Sequence, residues 1–195
     1  HGLCHACPMD DAIEQSRLAD HERGRVMSLF TRFGNDGNYL ALDASHSHIL
    51  IVETPVLLTQ ELDSIKQHFA ARITEIDTLF EVTPSALEGG GNALRQGIDR
   101  ILAQAEAAIR AGKSYIVLTD ERMDETRAAV PMILAVSALH SHLVRHKLRK
   151  KVSILVRTAE CIEVHCCAVL IGVGATAVNP YLAEETLSER YKCGL

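Results

Sequence analysis

Two short apolar runs, at residues 114–119 and 152–156, constrain the fold of this chain more than any other feature. They read SYIVLT and VSILV, are rich in β-branched residues and do not alternate polar with apolar side chains. Runs of this kind are typical of strands that are buried on both faces, as the strands of parallel sheets are. They therefore predict two strands of a parallel sheet.

The segment between the two runs has the pattern of a crossover helix. Residues 130–145 place apolar side chains along a wide stripe, and Pro131 suits a first helical turn, where its missing N–H costs no hydrogen bond. A second helix is predicted over 161–171, ending at Gly172, and a third strand over 176–178. This order predicts an α/β fold of repeated βα units with a parallel sheet, in which the third strand is buried and parallel to its neighbours.

The first half of the chain carries weaker signals of the same kind. Residues 49–53 are interpreted as a strand, and Thr59 is placed to cap a following helix. Residues 73–82 favour a strand, although their periodicity also allows a helix. A long helix is predicted over 92–111, with Asn92 as its cap.

Charge and hydropathy argue against two classes of partner. The chain has 20 Lys and Arg against 25 Asp and Glu, and its basic residues are scattered apart from a cluster at 145–151. Nucleic acid binding needs a concentrated basic footprint, whereas that cluster is interpreted as a solvated turn at a helix end. No apolar run approaches the roughly 20 residues that span a bilayer, and no apolar signal core opens the sequence. We therefore expect no nucleic acid or membrane partner, and a cytoplasmic location.

Cysteines and histidines give the candidate metal ligands. Cys4 and Cys7 have the spacing of a metal or redox pair, but a second pair at zinc-finger spacing is absent, so an unstructured terminus is the alternative. Cys166 and Cys167 are adjacent on a predicted helix, and we expect both to be reduced, with at least one packed in the core. A further pair, His142 and His146, lies four residues apart without the glutamate of a helical zinc-protease motif, which favours a simple surface pair.

Charged or polar residues follow each of the three strands predicted in the second half of the chain. Ligands of parallel α/β sheets bind at the carboxyl ends of strands, so these residues are expected to share one edge, here called the strand-end rim. Carboxylates there would suit acid–base chemistry and arginines an anionic ligand, but the same groups can equally pair with one another or cap helices. The candidate rim residues are Asp120, Glu121, Arg122, Arg157, Glu160, Asn179 and Tyr181.

Several motifs follow one another in a characteristic order along the chain. They are VMSL at 26–29, GNDGNYL at 34–40, ETPVL at 53–57, IVLTD at 116–120 with Arg122, PMILAVSALHSHLV at 131–144 and ECIEVHCCAVLIGVGATAVNPY at 160–181. In this order they resemble the central domain of the large chain of glutamate synthase, and the last run is the most specific. Residues 26–195 are accordingly expected to form a central-type α/β domain, preceded by a poorly matched segment at 1–25. At His165, Cys166 and Cys167 the chain departs from the family, which has paired histidines followed by phenylalanine.

The resemblance implies a function for the chain as part of a larger enzyme. In this family a glutamine amidotransferase domain, which releases ammonia, is joined by the central domain to an FMN-binding domain with an iron–sulfur cluster, which converts 2-oxoglutarate to glutamate. The resemblance therefore implies a connecting domain of an oxidoreductase of glutamate biosynthesis and ammonia assimilation, with those two domains as its partners. Its fold is expected to resemble part of a (βα) barrel, and it is expected to help wall a path for ammonia.

The resemblance supplies no catalytic residue for this chain. No position matches a catalytic residue, an FMN ligand or a cluster ligand of the family, and we expect the segment itself to be non-catalytic and without a cofactor. The alternative is a free-standing small-molecule enzyme or anion-binding α/β protein that uses the strand-end rim.

Overall fold

The computed structural model describes Leu29 and residues 31–34, 50–82 and 92–194, and those from Thr31 onward belong to one compact unit. Its elements alternate between strands and helices over most of this length. In chain order they are β1 (Thr31–Phe33), β2 (Leu50–Val52), α1 (Thr59–His68), β3 (Ile73–Asp77), β4 (Leu79–Glu81), α2 (Asn92–Arg110), β5 (Tyr115–Thr119), β6 (Arg127–Ala129), α3 (Met132–Arg145), a 3₁₀ turn (Arg149–Lys151), β7 (Ser153–Arg157), α4 (Val164–Gly172), β8 (Ala177–Asn179) and α5 (Tyr181–Lys192).

A four-stranded parallel sheet forms the centre of the unit. Its strand order is β3-β5-β7-β8, and every neighbouring pair runs parallel. This confirms the predicted α/β fold and the parallel, buried third strand. Two short antiparallel pairs, β1 with β2 and β4 with β6, lie outside this sheet. Within the described residues the sheet stays open, without closure into a barrel.

Both faces of the sheet are buried, as the continuous apolar runs predict. Ile116 and Leu118 of β5 belong to a core cluster that includes buried side chains of α2, α3 and α4. Tyr115 and Val117, which alternate with them, belong to a second cluster with α1 and Phe33. A strand with both sets of side chains in a core has no need of a polar face, and this explains the absence of alternation in the sequence.

The predicted strand at 73–82 is interrupted in the structure. Thr78 is completely buried, and both its N–H and its hydroxyl donate to the carbonyl oxygen of Thr119, at 2.9 and 3.0 Å. The chain therefore leaves the parallel sheet after β3 and pairs as β4 with β6 instead.

Two helices begin one residue earlier, relative to their expected caps, than the sequence analysis predicts. Thr59 was expected to cap α1, but it is the first helical residue, and Leu58 is the cap. The carboxylate of Glu61 accepts a hydrogen bond from the Leu58 N–H at 2.8 Å, while the Thr59 hydroxyl donates to Glu184 of α5 at 2.8 Å. Asn92 likewise begins α2 as a helical residue.

The basic cluster at 145–151 is only partly the solvated turn that was predicted. Arg149 is half-buried and donates to the ring of His140 at 3.1 Å and to the carbonyl oxygens of Val152 and Gly174 at 2.8 and 2.9 Å. It thus joins the end of α3 to the turn before β8. The helices of the described residues include none with the length and apolar character needed to cross a membrane.

Candidate functional site

Asp120 lies directly after β5 and forms the buried centre of the strand-end rim. Its side chain is 1% exposed and accepts a hydrogen bond from the Thr158 hydroxyl at 2.5 Å. The backbone N–H of Ala159 also donates to its two oxygens, at 3.0 and 3.2 Å. Because Thr158 and Ala159 follow β7, the carboxylate ties together the carboxyl ends of two neighbouring strands.

Tyr181, the first residue of α5, lies beside this carboxylate. Burial, followed by the negative charge of Asp120, raises the pKa of Tyr181 to about 12. The guanidinium carbon of Arg157 is 5.5 Å from the centre of the tyrosine ring, a cation–π contact. The phenol is therefore neutral at physiological pH and cannot act there as a base.

Arg157 ends β7 and is surrounded by acidic groups. Its side chain is only 10% exposed, and it reaches Glu121 at 3.0 Å and Asp63 of α1 at 3.4 Å. Among the described residues its Nε has no hydrogen-bond partner. One guanidinium thus faces two carboxylates directly, so a further anion would meet more negative than positive charge.

Asn179 ends β8, opposite Arg157 in the register of the sheet. Its amide nitrogen donates to the carbonyl oxygen of Leu57 at 2.9 Å. Two backbone hydrogen bonds extend this contact. The Val178 N–H donates to the carbonyl oxygen of Pro55 at 2.8 Å, and the Leu57 N–H donates to that of Val178 at 2.9 Å. Residues 55–57 therefore cover the outer edge of β8.

Two of the predicted rim residues point elsewhere. Glu160 accepts a hydrogen bond from the Met132 N–H at 2.9 Å, so it satisfies a free donor at the start of α3. Arg122 pairs with Glu75 at 3.2 Å and with Asp77 at 3.4 Å, both on β3. The remaining five residues form what we call the rim cluster: Asp120, Glu121, Arg157, Asn179 and Tyr181.

The sequence analysis missed three residues that hold the rim cluster in place. Thr158 stands between residues that were considered, and its position after β7 was a usable signal. Asp63 and Glu184 come from α1 and α5 and reach Arg157 and Asn179 only through the fold, at 3.4 Å in each case. The candidate ligands Cys4 and Cys7 lie outside the described residues.

Cys166 and Cys167 are free thiols, as predicted, and Cys167 is buried; Cys161 and Cys193 are free as well. Burial, followed by the nearby Cys167, Cys166 and Glu160, raises the pKa of Cys161 to about 12. Burial also raises the pKa of Cys167. Cys161 and Cys166 line a largely apolar cleft of about 200 Å³ between α3 and α4. The raised pKa values keep the thiols of Cys161 and Cys167 protonated, and protonated thiols are poor nucleophiles.

The geometry of the rim cluster suits structural support better than catalysis. The carboxylate of Asp120 is occupied by buried donors, the phenol of Tyr181 is neutral, and Arg157 is paired with acidic side chains. The Thr158 hydroxyl does contact a base, the Asp120 carboxylate, but it is 0% exposed, so a substrate cannot reach it as covalent catalysis requires. The cluster joins β5, β7, β8, α1 and α5.

Comparison with known proteins identifies the family. A family model described as the glutamate synthase central domain matches residues 19–194. The large chain of NADPH-dependent glutamate synthase of Azospirillum brasilense is 47% identical over 88% of this chain, and that of Bacillus subtilis is 39% identical over 84%. The chloroplastic ferredoxin-dependent glutamate synthase of Spinacia oleracea is 36% identical over 84% of the chain. The chain spans 11%, 10% and 10% of the length of these three relatives, respectively. The chain belongs to the glutamate synthase central domain family.

Proposed function

We propose that this chain is the connecting domain of a glutamate synthase large chain. In this proposal it links a glutamine amidotransferase domain to an FMN-binding synthase domain, in an enzyme that makes glutamate from glutamine and 2-oxoglutarate. The family assignment supports the proposal, as does the small share, about a tenth, of each relative that the chain spans. FMN and the iron–sulfur cluster are assigned to the rest of that enzyme.

The observation that carries this proposal is the way the rim cluster is used. In an α/β enzyme the carboxyl ends of the strands hold reactive groups that are open to a ligand. Here the buried groups at those ends form hydrogen bonds within the domain. Asp120 accepts one from the Thr158 hydroxyl, and the Asn179 amide donates one to the carbonyl oxygen of Leu57. A domain that holds two active sites at a fixed separation needs such rigidity and needs no chemistry of its own.

The anion-binding alternative has weaker support. Its best feature is the unpartnered Nε of Arg157 among the described residues, but Glu121 and Asp63 already balance that guanidinium. Arg122, the other candidate cation, is held by β3.

Two measurements on the purified 195-residue chain test the proposal. We expect no hydrolysis of glutamine and no quenching of FMN fluorescence, because the rim hydroxyl that contacts a base, that of Thr158, is fully buried and no residue matches the family's flavin ligands. Glutamine turnover that is lost on Asp120→Asn or Glu160→Gln would contradict the connecting-domain proposal and favour a free-standing enzyme.

A third measurement uses the complete large chain that carries this domain. Glu121→Gln removes an exposed charge that contacts Arg157, and Glu125→Gln, the matched control, removes an exposed charge outside the rim cluster. If the rim faces a neighbouring domain, the Glu121 variant raises the ratio of glutamine hydrolysed to glutamate formed, and the control does not. An equal ratio in both variants would contradict a contact between the rim and the ammonia path.

A further inference from the structure

A second group of polar side chains lies away from the rim, where α2 packs against α3. Glu106 belongs to α2, His142 to the last turn of α3, and His146 is the residue that caps α3. One potential ligand atom from each of the three side chains lies within 4.8 Å of the other two. The two histidines, four residues apart, share one face of the helix, and Glu106 comes from the neighbouring helix.

The closest contact in this group is between His142 and Glu106. Nε2 of His142 is 2.8 Å from Oε2 of Glu106, and the two histidine rings lie 4.1 Å apart between centres, tilted by 33°. A carboxylate can only accept, so one proton lies between the nitrogen and the oxygen. Ligands of one zinc ion, each about 2.0–2.2 Å from the metal, are separated by about 3–3.5 Å. A metal ion could therefore replace that proton with only a small outward shift of the two side chains.

The surrounding contacts orient each ligand. Arg110 binds Oε1 of Glu106 through two nitrogens, at 2.6 and 2.9 Å, so that Oε2 is left to face His142. Nδ1 of His146 lies 2.8 Å from the carbonyl oxygen of His142. Since a carbonyl only accepts, Nδ1 carries the proton, and Nε2 of His146 keeps the lone pair that a metal needs. Natural metal sites orient histidine and carboxylate ligands through contacts of this kind.

The donor set also selects a class of metal. Hydrogen bonds from Arg110 and then from His142 lower the pKa of Glu106, so the group is an anionic carboxylate. Two imidazole nitrogens and one carboxylate oxygen suit borderline divalent ions such as Zn²⁺, whereas Mg²⁺ and Ca²⁺ prefer oxygen ligands alone. Three protein ligands leave a fourth position for water.

We propose that Glu106, His142 and His146 form a binding site for a divalent metal ion of the zinc class. The bound ion would cross-link α2 to α3, the two long helices on one face of the sheet. This site is separate from the rim cluster and does not depend on the proposed function.

The test is a titration of the 195-residue chain with Zn²⁺ in which calorimetry measures the binding. It uses a Cys4→Ser, Cys7→Ser background, because that cysteine pair could bind zinc by itself. We expect one saturable site in this background. His146→Ala and Glu106→Gln should each weaken binding at least about tenfold, because loss of even an outer contact of a metal site costs about that much.

His68→Ala in the same background is the matched control. Like His146, His68 is an exposed histidine at the end of a helix, but it lies on α1, away from the site. We expect its affinity for Zn²⁺ to equal that of the Cys4→Ser, Cys7→Ser protein. Circular dichroism of each variant verifies that the fold is retained, and His146 is exposed enough for its removal to be tolerated.

Two results would overturn the proposal. One is the absence of saturable Zn²⁺ binding by the Cys4→Ser, Cys7→Ser protein. The other is equal affinity in the His146→Ala, Glu106→Gln and His68→Ala variants, which would place the bound ion elsewhere and leave His142 and Glu106 as an ordinary ion pair.

Discussion

Asp120→Ala tests whether buried hydrogen bonds hold the carboxyl ends of β5 and β7 together. Asp120 is 1% exposed and Thr158 is 0% exposed, so water has little access to either side chain. In the alanine variant the Thr158 hydroxyl and the Ala159 N–H both lose their acceptor. No solvent reaches the Thr158 hydroxyl, whereas Ala159 is half-buried, so water replaces part of the bond that its N–H loses.

The expected loss follows from these two donors. A buried donor without a partner costs about 1–3 kcal/mol, and the half-buried N–H of Ala159 lies near the lower limit, which gives about 2–4 kcal/mol for the pair. Removal of the buried carboxylate recovers part of its own cost of leaving water. We therefore expect the free energy of unfolding to fall by about 3 kcal/mol. In a chain of this size each kcal/mol shifts the melting temperature by about 2–4 °C, so the expected decrease is about 6–12 °C.

Asp124→Ala is a control with the same chemistry at an exposed position. Asp124 accepts hydrogen bonds from the hydroxyl of Thr126 at 2.7 Å and from its N–H at 2.9 Å, and it also pairs with Arg127. Because all these groups reach solvent, water takes over from the carboxylate in the variant. We expect a much smaller loss of stability than in Asp120→Ala.

The assay is urea and thermal unfolding of the three proteins, followed by circular dichroism and analysed as a two-state transition. Equal losses of stability in the two variants would show that burial does not decide the cost of removing the carboxylate. A free energy of unfolding of Asp120→Ala within about 0.5 kcal/mol of the parent chain, the range typical of plain surface substitutions, would show that these hydrogen bonds do not hold the strand ends together.

Two further predictions concern groups whose pKa is shifted by burial. A thiol reagent at pH 8 should label exposed Cys193 quickly and Cys161 and Cys167 slowly, since burial raises the pKa of both thiols, and rapid labelling of all three in the folded chain would contradict this. Burial and then the charge of Arg149 lower the pKa of His140 below 6.5 in the folded chain, so the unfolded chain binds the proton more readily. The contribution of neutral His140 to stability is therefore complete above pH 6.5 and is lost as the pH falls toward the folded-state pKa. His140→Asn should weaken this acid dependence of the melting temperature, and an unchanged profile would count against it.

The central strands could be predicted because their signal is local. Residues 115–119 and 153–157 carry apolar side chains on both faces, and short β-branched runs of this kind are hard to place in any other element. Helix α5, in contrast, has no such local signal in the sequence. None of its described side chains is buried, and its apolar residues do not form the helical period that would predict a helix.

Features fixed by distant partners could not be predicted. The interruption at Thr78 depends on the carbonyl oxygen of Thr119, and Thr59, at the start of α1, is bound by Glu184. These contacts join residues that no short pattern relates.

The same distinction applies to the candidate sites. Neighbouring parallel strands end at one edge, so the sequence could predict that residues after β5, β7 and β8 would meet there. It could not predict that Arg122 would turn toward Glu75 or that Glu160 would turn toward α3. The contact between Glu106 and His142 likewise depends on how α2 packs against α3.

The covering of β8 by residues 55–57 affects how the chain tolerates truncation. Those residues bind the outer edge of β8, which in turn covers the edge of β7. They lie more than a hundred positions before β8, so the sheet is finished only after residue 179 has been made. A chain that stops before residue 177 would leave β7, whose residues are all buried in the fold, as an unprotected edge. Unprotected apolar edges pair with other chains, and we therefore expect fragments that lack β8 to aggregate.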